Sequence, residues 1–547
     1  MRRTCALVGC ALLSVVFAPR AKAGAPAPAD RPDPRAVARA VDQSLADELF
    51  ANRQVTLAPK CDDATFLRRT WLDVVGDIPT PEHVMAFVLD SSPDKRQRLV
   101  RELLADPQYG VNWARYWRDV IFYRRIEDRA LLAANALEAD LSAKLNDNAA
   151  WDEIATAFIT AQGDVRENGD TALIMAQDGR TEETTAEIAR ILLGVQIQCA
   201  QCHDHPYDRW KREQFHELAA FFPRIGVRPV QSATQRSFAV ISSDRPGRQR
   251  ANNNENRPTP EHFMPDLEDP AAQGTRMQPR FFLTGGDLPY GTTDADRRKT
   301  LAVWLTGNEW FAKAIVNRMW AELVGEGFYE PVDDLGPDRT ASAPKTIALL
   351  AAKFRESGYD VKWLFETITA TEAYQRESRP RRRGDEGVPF AANVPQPLRA
   401  DQLYNAVLSA LDRSEEPVGP RRQRGGMGGP GRNRGPRAQF EEIFGYDPSD
   451  GRDDIAGSIP QVLAMMNSDQ VAGGAKAGRG LLKRLTDEVP DDEELVVELY
   501  LQSLSREPTN DELALAIKYF GDVGKRREAA EDLLWALLNS AEFNHRK

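Results

Sequence analysis

Apolar residues recur along this 547-residue chain mostly at spacings of three and four, and seldom in alternation. Val37, Val41, Leu45 and Leu49 draw one apolar stripe along a helix over 36–50. Thr80 before Pro81 reads as a helix start, the hydroxyl capping free amides and the ring preset for the first turn. The same period predicts helices over 94–104, 107–125, 184–198 and 210–222. After a break it predicts more over 296–305, 310–321, 345–356, 361–374, 492–504, 510–520 and 525–543. Strand candidates are confined to 238–241 and 281–283. Residues 242–280 hold Asn252-Asn253-Asn254, several prolines and no apolar period, and read as a linker or long loop. The pattern predicts a mainly α protein with few short strands. Two helical domains, 36–241 and 281–547, are joined by the irregular linker at 242–280. Within the second, 413–439 contains a Gly/Arg-rich run at 421–437 and reads as a disordered insertion.

The first 23 residues change the expected compartment. Arg2 and Arg3 precede an apolar run from Cys5 to Ala18 that is too short to cross a bilayer, and Ala21-Lys22-Ala23 is a small-x-small cleavage site. This reads as a cleaved signal peptide, with 24–35 a flexible lead-in. Leu7-Val8-Gly9-Cys10 resembles an acylation box but sits too early. No other run is long enough for a transmembrane span, so a periplasmic or secreted protein is expected. The formal net charge is −11, and loss of Arg2, Arg3, Arg20 and Lys22 makes it more negative. Such a chain is a poor partner for nucleic acid. The Gly/Arg-rich run has a composition that can bind RNA, but outside the cytoplasm it reads as a solvated insertion.

The chemistry concentrates in Cys199-Ala200-Gln201-Cys202-His203, followed by Asp204-His205-Pro206-Tyr207-Asp208-Arg209-Trp210. Two thiols three apart with an adjacent imidazole form the attachment pattern for c-type haem. Cys199 and Cys202 would carry thioethers, and His203 the axial nitrogen on iron. Two other readings use the same residues. One is a disulfide between Cys199 and Cys202 in an oxidising compartment. The other is zinc on Cys199, Cys202, His203 and His205, a cramped set because Cys202 and His203 are neighbours. Of five cysteines, Cys5 and Cys10 leave with the signal peptide, so haem attachment leaves Cys61 as an ordinary part-buried thiol. A second axial ligand would come from His216, on the following helix, or from Met264 in the linker. Tyr109, Trp113, Tyr116, Trp117, Phe122 and Tyr123 form an aromatic face that reads as core before it reads as a cofactor wall. Asp333-Asp334 offers a carboxylate pair for acid–base work or Ca²⁺, but adjacent carboxylates point apart and a capped turn is the simpler reading.

Several runs together resemble secreted planctomycete proteins that pair a cytochrome-like domain with a second planctomycete domain, both of unknown function. They are Leu67-Arg68-Arg69 with Ile78-Pro79-Thr80-Pro81-Glu82, Trp113 to Asp119, and Leu193 to Trp210. In the second domain they are Trp310-Phe311-Ala312, Val316 to Trp320, Pro331 to Leu335, Ser357 to Leu364, Tyr374-Gln375 and Trp535 to Phe543. The resemblance implies export and a haem-like motif and does not imply a reaction. One departure stands out. Members of the family that it resembles usually carry Asn-Pro-Pro-Ser-His-Pro where this chain has Arg339-Thr340-Ala341-Ser342-Ala343-Pro344, so no role of that histidine operates here.

Two function classes follow. The first is an extracytoplasmic protein with covalent haem c, transferring electrons to or from a redox partner protein; an open distal site would make it an enzyme. The second is a non-haem binding or scaffold protein that engages an envelope component, with Cys199 and Cys202 structural. The chain shows no Ser-His-Asp order, phosphate-binding glycine loop or His-Glu-x-x-His motif.

Overall fold

The aromatic run after Pro107 forms the helix Pro107–Phe122, started by Asp106, whose carboxylate accepts from the Gln108 amide. Its Tyr109, Trp113, Tyr116 and Trp117 are all buried. Trp113 and Tyr109 meet Phe365 edge-on at 4.8 and 5.7 Å, and Trp117 lies 4.5 Å from Trp151. The face is core, because these four rings are buried against Phe365, Trp151 and one another. The computed structural model describes residues 31–51, 54–231, 236–244, 260–269, 271–380, 387–414, 435–451, 455, 457–468, 471–476 and 480–547. The signal peptide, the lead-in up to residue 30, residues 245–259 of the linker and 415–434 of the insertion lie outside the described residues.

The architecture is mainly α, as the apolar period predicts. The apolar core does not divide where the sequence pattern divides. One cluster runs from Val37 through Phe222 and Leu301 to Phe390, drawing on both sides of the irregular stretch. The helix Pro34–Leu45 shows why. Asp33 caps it, Pro34 opens it, and its buried stripe of Val37, Val41 and Leu45 packs on the helices Pro344–Glu356 and Val361–Ala370. Glu48 then caps the first of these, accepting from the Lys345 and Thr346 amides at 2.9 and 2.8 Å. A second cluster gathers the C-terminal helices around Leu403, Leu482, Leu499 and Leu534, and reaches back to Leu72 and Ile78. No helix among the described residues is long and apolar enough to cross a membrane.

The strands are few. β1 (Gly163–Asp164), β2 (Ile225–Gln231) and β3 (Arg236–Ser242) form an antiparallel sheet in the order β1-β3-β2, with Val227 opposite Val240. β3 covers the expected 238–241. β2 was not expected, because Gly226 and Pro229 interrupt its β signal; pairing with β3 overrides that local preference. Of 281–283, only Phe281 lies in a strand, a two-residue pair with Gly286–Asp287.

The irregular stretch is more anchored than its composition suggests. β4 (Phe263–Met264) pairs with β5 (Thr275–Arg276), and His262 and Met277 are buried. Glu261 holds the segment down through Arg224 at 2.8 Å, Arg297 at 2.7 Å and Arg276 at 3.2 Å. Charge pairing does here what an apolar stripe does in the helices, and that signal has no period to read.

Candidate functional site

The helix Thr181–Ile188 continues through a wider turn, Ala189–Leu193, and ends at Gly194, whose φ of +66° is a left-handed stop. The chain then makes one short 3₁₀ turn, Gln198–Gln201, which carries Cys199, and Cys202 and His203 follow it on the surface. Cys199 and Cys202 are exposed free thiols, and Cys61 is buried and free. Among the described residues, no three or more His, Cys, Asp or Glu side chains converge as they would around a metal ion.

His203 is exposed, and its Nδ1 lies 2.7 Å from the Asp204 carbonyl oxygen. A carbonyl only accepts, so Nδ1 carries the proton, and in the neutral ring Nε2 carries the lone pair. That is the tautomer an axial ligand needs, fixed by a backbone partner. Asp204 is held in turn by the Lys211 ammonium at 2.7 Å and accepts from the Arg212 amide at 3.1 Å. The Lys211 contact lowers the Asp204 carboxyl below its ordinary range. His205 donates its backbone N–H to the Trp210 carbonyl at 2.8 Å, closing the loop, and its Nδ1 accepts from the Tyr207 amide. Two unpaired exposed thiols and an imidazole tied through Nδ1 are the donor types that c-type haem attachment uses.

His216 and Met264 were the candidates for a second ligand. His216 sits on the helix Arg212–Ala219, buried beneath the motif. Its Nε2 donates to the Gln201 carbonyl at 3.0 Å, and its Nδ1 accepts from His262 Nε2 at 2.8 Å. Both ring nitrogens are thus committed in this arrangement. Met264 is half-buried in β4, which packs against the same helix. His262 is the residue that the sequence pattern does not flag. It stacks on His216 with centroids 5.1 Å apart, and its Nδ1 lies 3.8 Å from Glu182. Burial drives the pKa of both rings down to about 4, outweighing for His216 the Gln201 bond that raises it. No sequence signal joins two histidines 46 residues apart across an irregular stretch.

The adjacent carboxylates of the second domain diverge, as expected. Asp334 pairs with Arg339 at 2.8 Å. Asp333 is fully buried and meets Arg190 at 2.8 Å and Arg318 at 3.5 Å, and accepts from Gln196 at 2.9 Å. Burial alone would raise its pKa, but the two guanidiniums bring it below the ordinary value. Arg190 spends its remaining donors on Glu187, Ser449 and the Val120 carbonyl. Asp333 is therefore a structural counter-ion and not an open acid–base pair. Ala343, where the resemblance leads to the expectation of a histidine, is fully buried just ahead of the helix Pro344–Glu356.

Two family models match the chain. Residues 40–226 match the one described as PSCyt2, a protein of unknown function (DUF1549). Residues 297–428 match the one described as PSD1, a protein of unknown function (DUF1553). Neither curated proteins nor solved structures give a match. With the motif on the first matched segment and Asp333 on the second, the chain carries both of these domains of unknown function, the pairing that the resemblance to planctomycete proteins implies.

Proposed function

We propose that the protein carries haem c covalently on Cys199 and Cys202, with His203 Nε2 as axial ligand, and that it transfers electrons outside the cytoplasm. One observation supports this most: the two thiols are free and exposed, beside an imidazole whose Nδ1 is tied to the Asp204 carbonyl. Bound haem supplies a one-electron couple whose potential depends on the axial ligands and on burial. The chain's own contribution is orientation. The Asp204 carbonyl fixes the His203 tautomer, and the Lys211 contact together with the Arg212 amide fixes Asp204. The buried His216–His262 pair supports the motif from below through the Gln201 carbonyl.

The test is expression with a haem-attachment system, followed by absorption spectra of wild type and variants. Cys199→Ser with Cys202→Ser removes bound haem that survives denaturation. His203→Ala retains attached haem and changes its spectrum, because the ligand goes and the tethers stay. A protein that never acquires haem, and whose Cys199 is found bonded to Cys202, contradicts the proposal and leaves the scaffold reading in its place.

A further inference from the structure

The second matched domain has no assigned role, yet one of its turns grips the motif on both flanks. On the near side, the Leu335 amide donates to the Gly194 carbonyl at 2.6 Å, and Asp333 accepts from Gln196. The fit is close: a Cβ on Gly194 would sit 2.9 Å from Leu335 Cδ1. On the far side, Arg209 pairs with Asp338 at 2.6 Å. Gly336 lies so near Asp208 that a Cβ there would run into the Asp208 carboxylate. Trp210, buried at the end of the loop, meets Trp310 of the second domain edge-on at 6.3 Å and Phe282 at 5.1 Å. The exposed Cys199–Arg209 loop thus hangs between two anchors that are both built from 310–338.

We propose that the turn 333–338 is a clamp that sets the shape of the haem-attachment loop, with Asp333, Gly336 and Asp338 as positioning residues. Gly336 is glycine because the Asp208 side chain fills the space a Cβ would need. A Cβ at position 336 would push the Asp208 carboxylate, and the loop that carries it, away from the turn. The second domain then shapes the loop that would hold haem. The inference rests on the haem reading for its purpose, but its geometry can be tested in the haem-free chain.

The experiment follows amide hydrogen exchange in the full-length haem-free protein, reading the hydrogen-bonded amides of His205 and Arg212. Gly336→Ala, and separately the surface change Asp338→Ala, should each speed exchange there by about fivefold, the scale of one lost hydrogen bond. Adding Asp208→Ala to Gly336→Ala should restore the slow rate, because it removes the clashing carboxylate. A general backbone effect at Gly336 would not be rescued in this way. With the attachment system present, covalent haem yield should fall in Gly336→Ala and recover in the double variant. Exchange within twofold of wild type in both single variants, or failure of the rescue, overturns the clamp. If the exchange pattern appears but wild type takes up no haem, the clamp stands and the haem reading falls.

Discussion

Lowering the pH from 7.5 to 5 should weaken the fold around the motif through two buried histidines. His216 and His262 are each more than nine-tenths buried, and burial puts both rings at about pKa 4, against about 6.5 in an unfolded chain. A depressed folded pKa means the unfolded chain binds the proton first. Stability is therefore complete above pH 6.5, and is lost as pH falls toward 4. The linkage relation gives about 0.8 kcal/mol per ring at pH 6 and about 2 kcal/mol per ring at pH 5, or about 4 kcal/mol for the pair. Glu182, 3.8 Å from His262 Nδ1, can offset part of the second ring's share by pairing with the imidazolium. The assay is urea unfolding at pH 7.5, 6 and 5, comparing wild type with His216→Gln/His262→Gln. Glutamine keeps an N–H donor and removes the titration. The variant should start less stable at pH 7.5 and lose about 3–4 kcal/mol less than wild type on the way to pH 5. Parallel pH curves for the two proteins would refute the reasoning.

Two further predictions concern other parts of the fold. Glu441, on the helix Pro436–Phe444, is pushed up to about pKa 7 by burial, although Arg118 at 3.3 Å pulls the other way. A raised carboxyl pKa contributes stability below about pH 4.5 that is lost as pH rises through 7. Glu441→Gln should therefore gain on wild type between those values by up to about 3 kcal/mol, read from urea midpoints. Gly110 lets the helix Pro107–Phe122 lie against Ala134–Asn146, where a Cβ would run into the Ser142 carbonyl and sit 2.6 Å from Asn146 Cγ. Gly110→Ala should cost about 1–3 kcal/mol despite its better helix propensity, and an unchanged thermal midpoint would contradict the close approach.

How much of this was legible in the sequence depends on the range of the contact involved. Local signals were readable: the Val37–Leu45 stripe, the Thr80-Pro81 start, and the aromatic face after Pro107 that proves to be core. The thiol and imidazole set at 199–203 is readable for the same reason, since its chemistry lies within five residues. What escaped is long-range. His216 meets His262, Gln196 meets Asp333, and Gly336 meets Asp208, each pair distant in sequence and brought together only by packing. The same holds for the core that spans the irregular stretch: Pro34–Leu45 seats on helices more than 300 residues away, and no periodicity encodes that partner.

The most direct measurement is the intact mass of the denatured, reduced protein after expression with the haem-attachment machinery. Thioether bonds survive denaturation and thiol reduction, whereas haem held only by His203 does not. Covalent attachment predicts the mass of the processed chain plus one haem, lost on replacing Cys199 and Cys202 together by Ser. A mass equal to the bare chain, from cells that load a known c-type cytochrome in parallel, would contradict it.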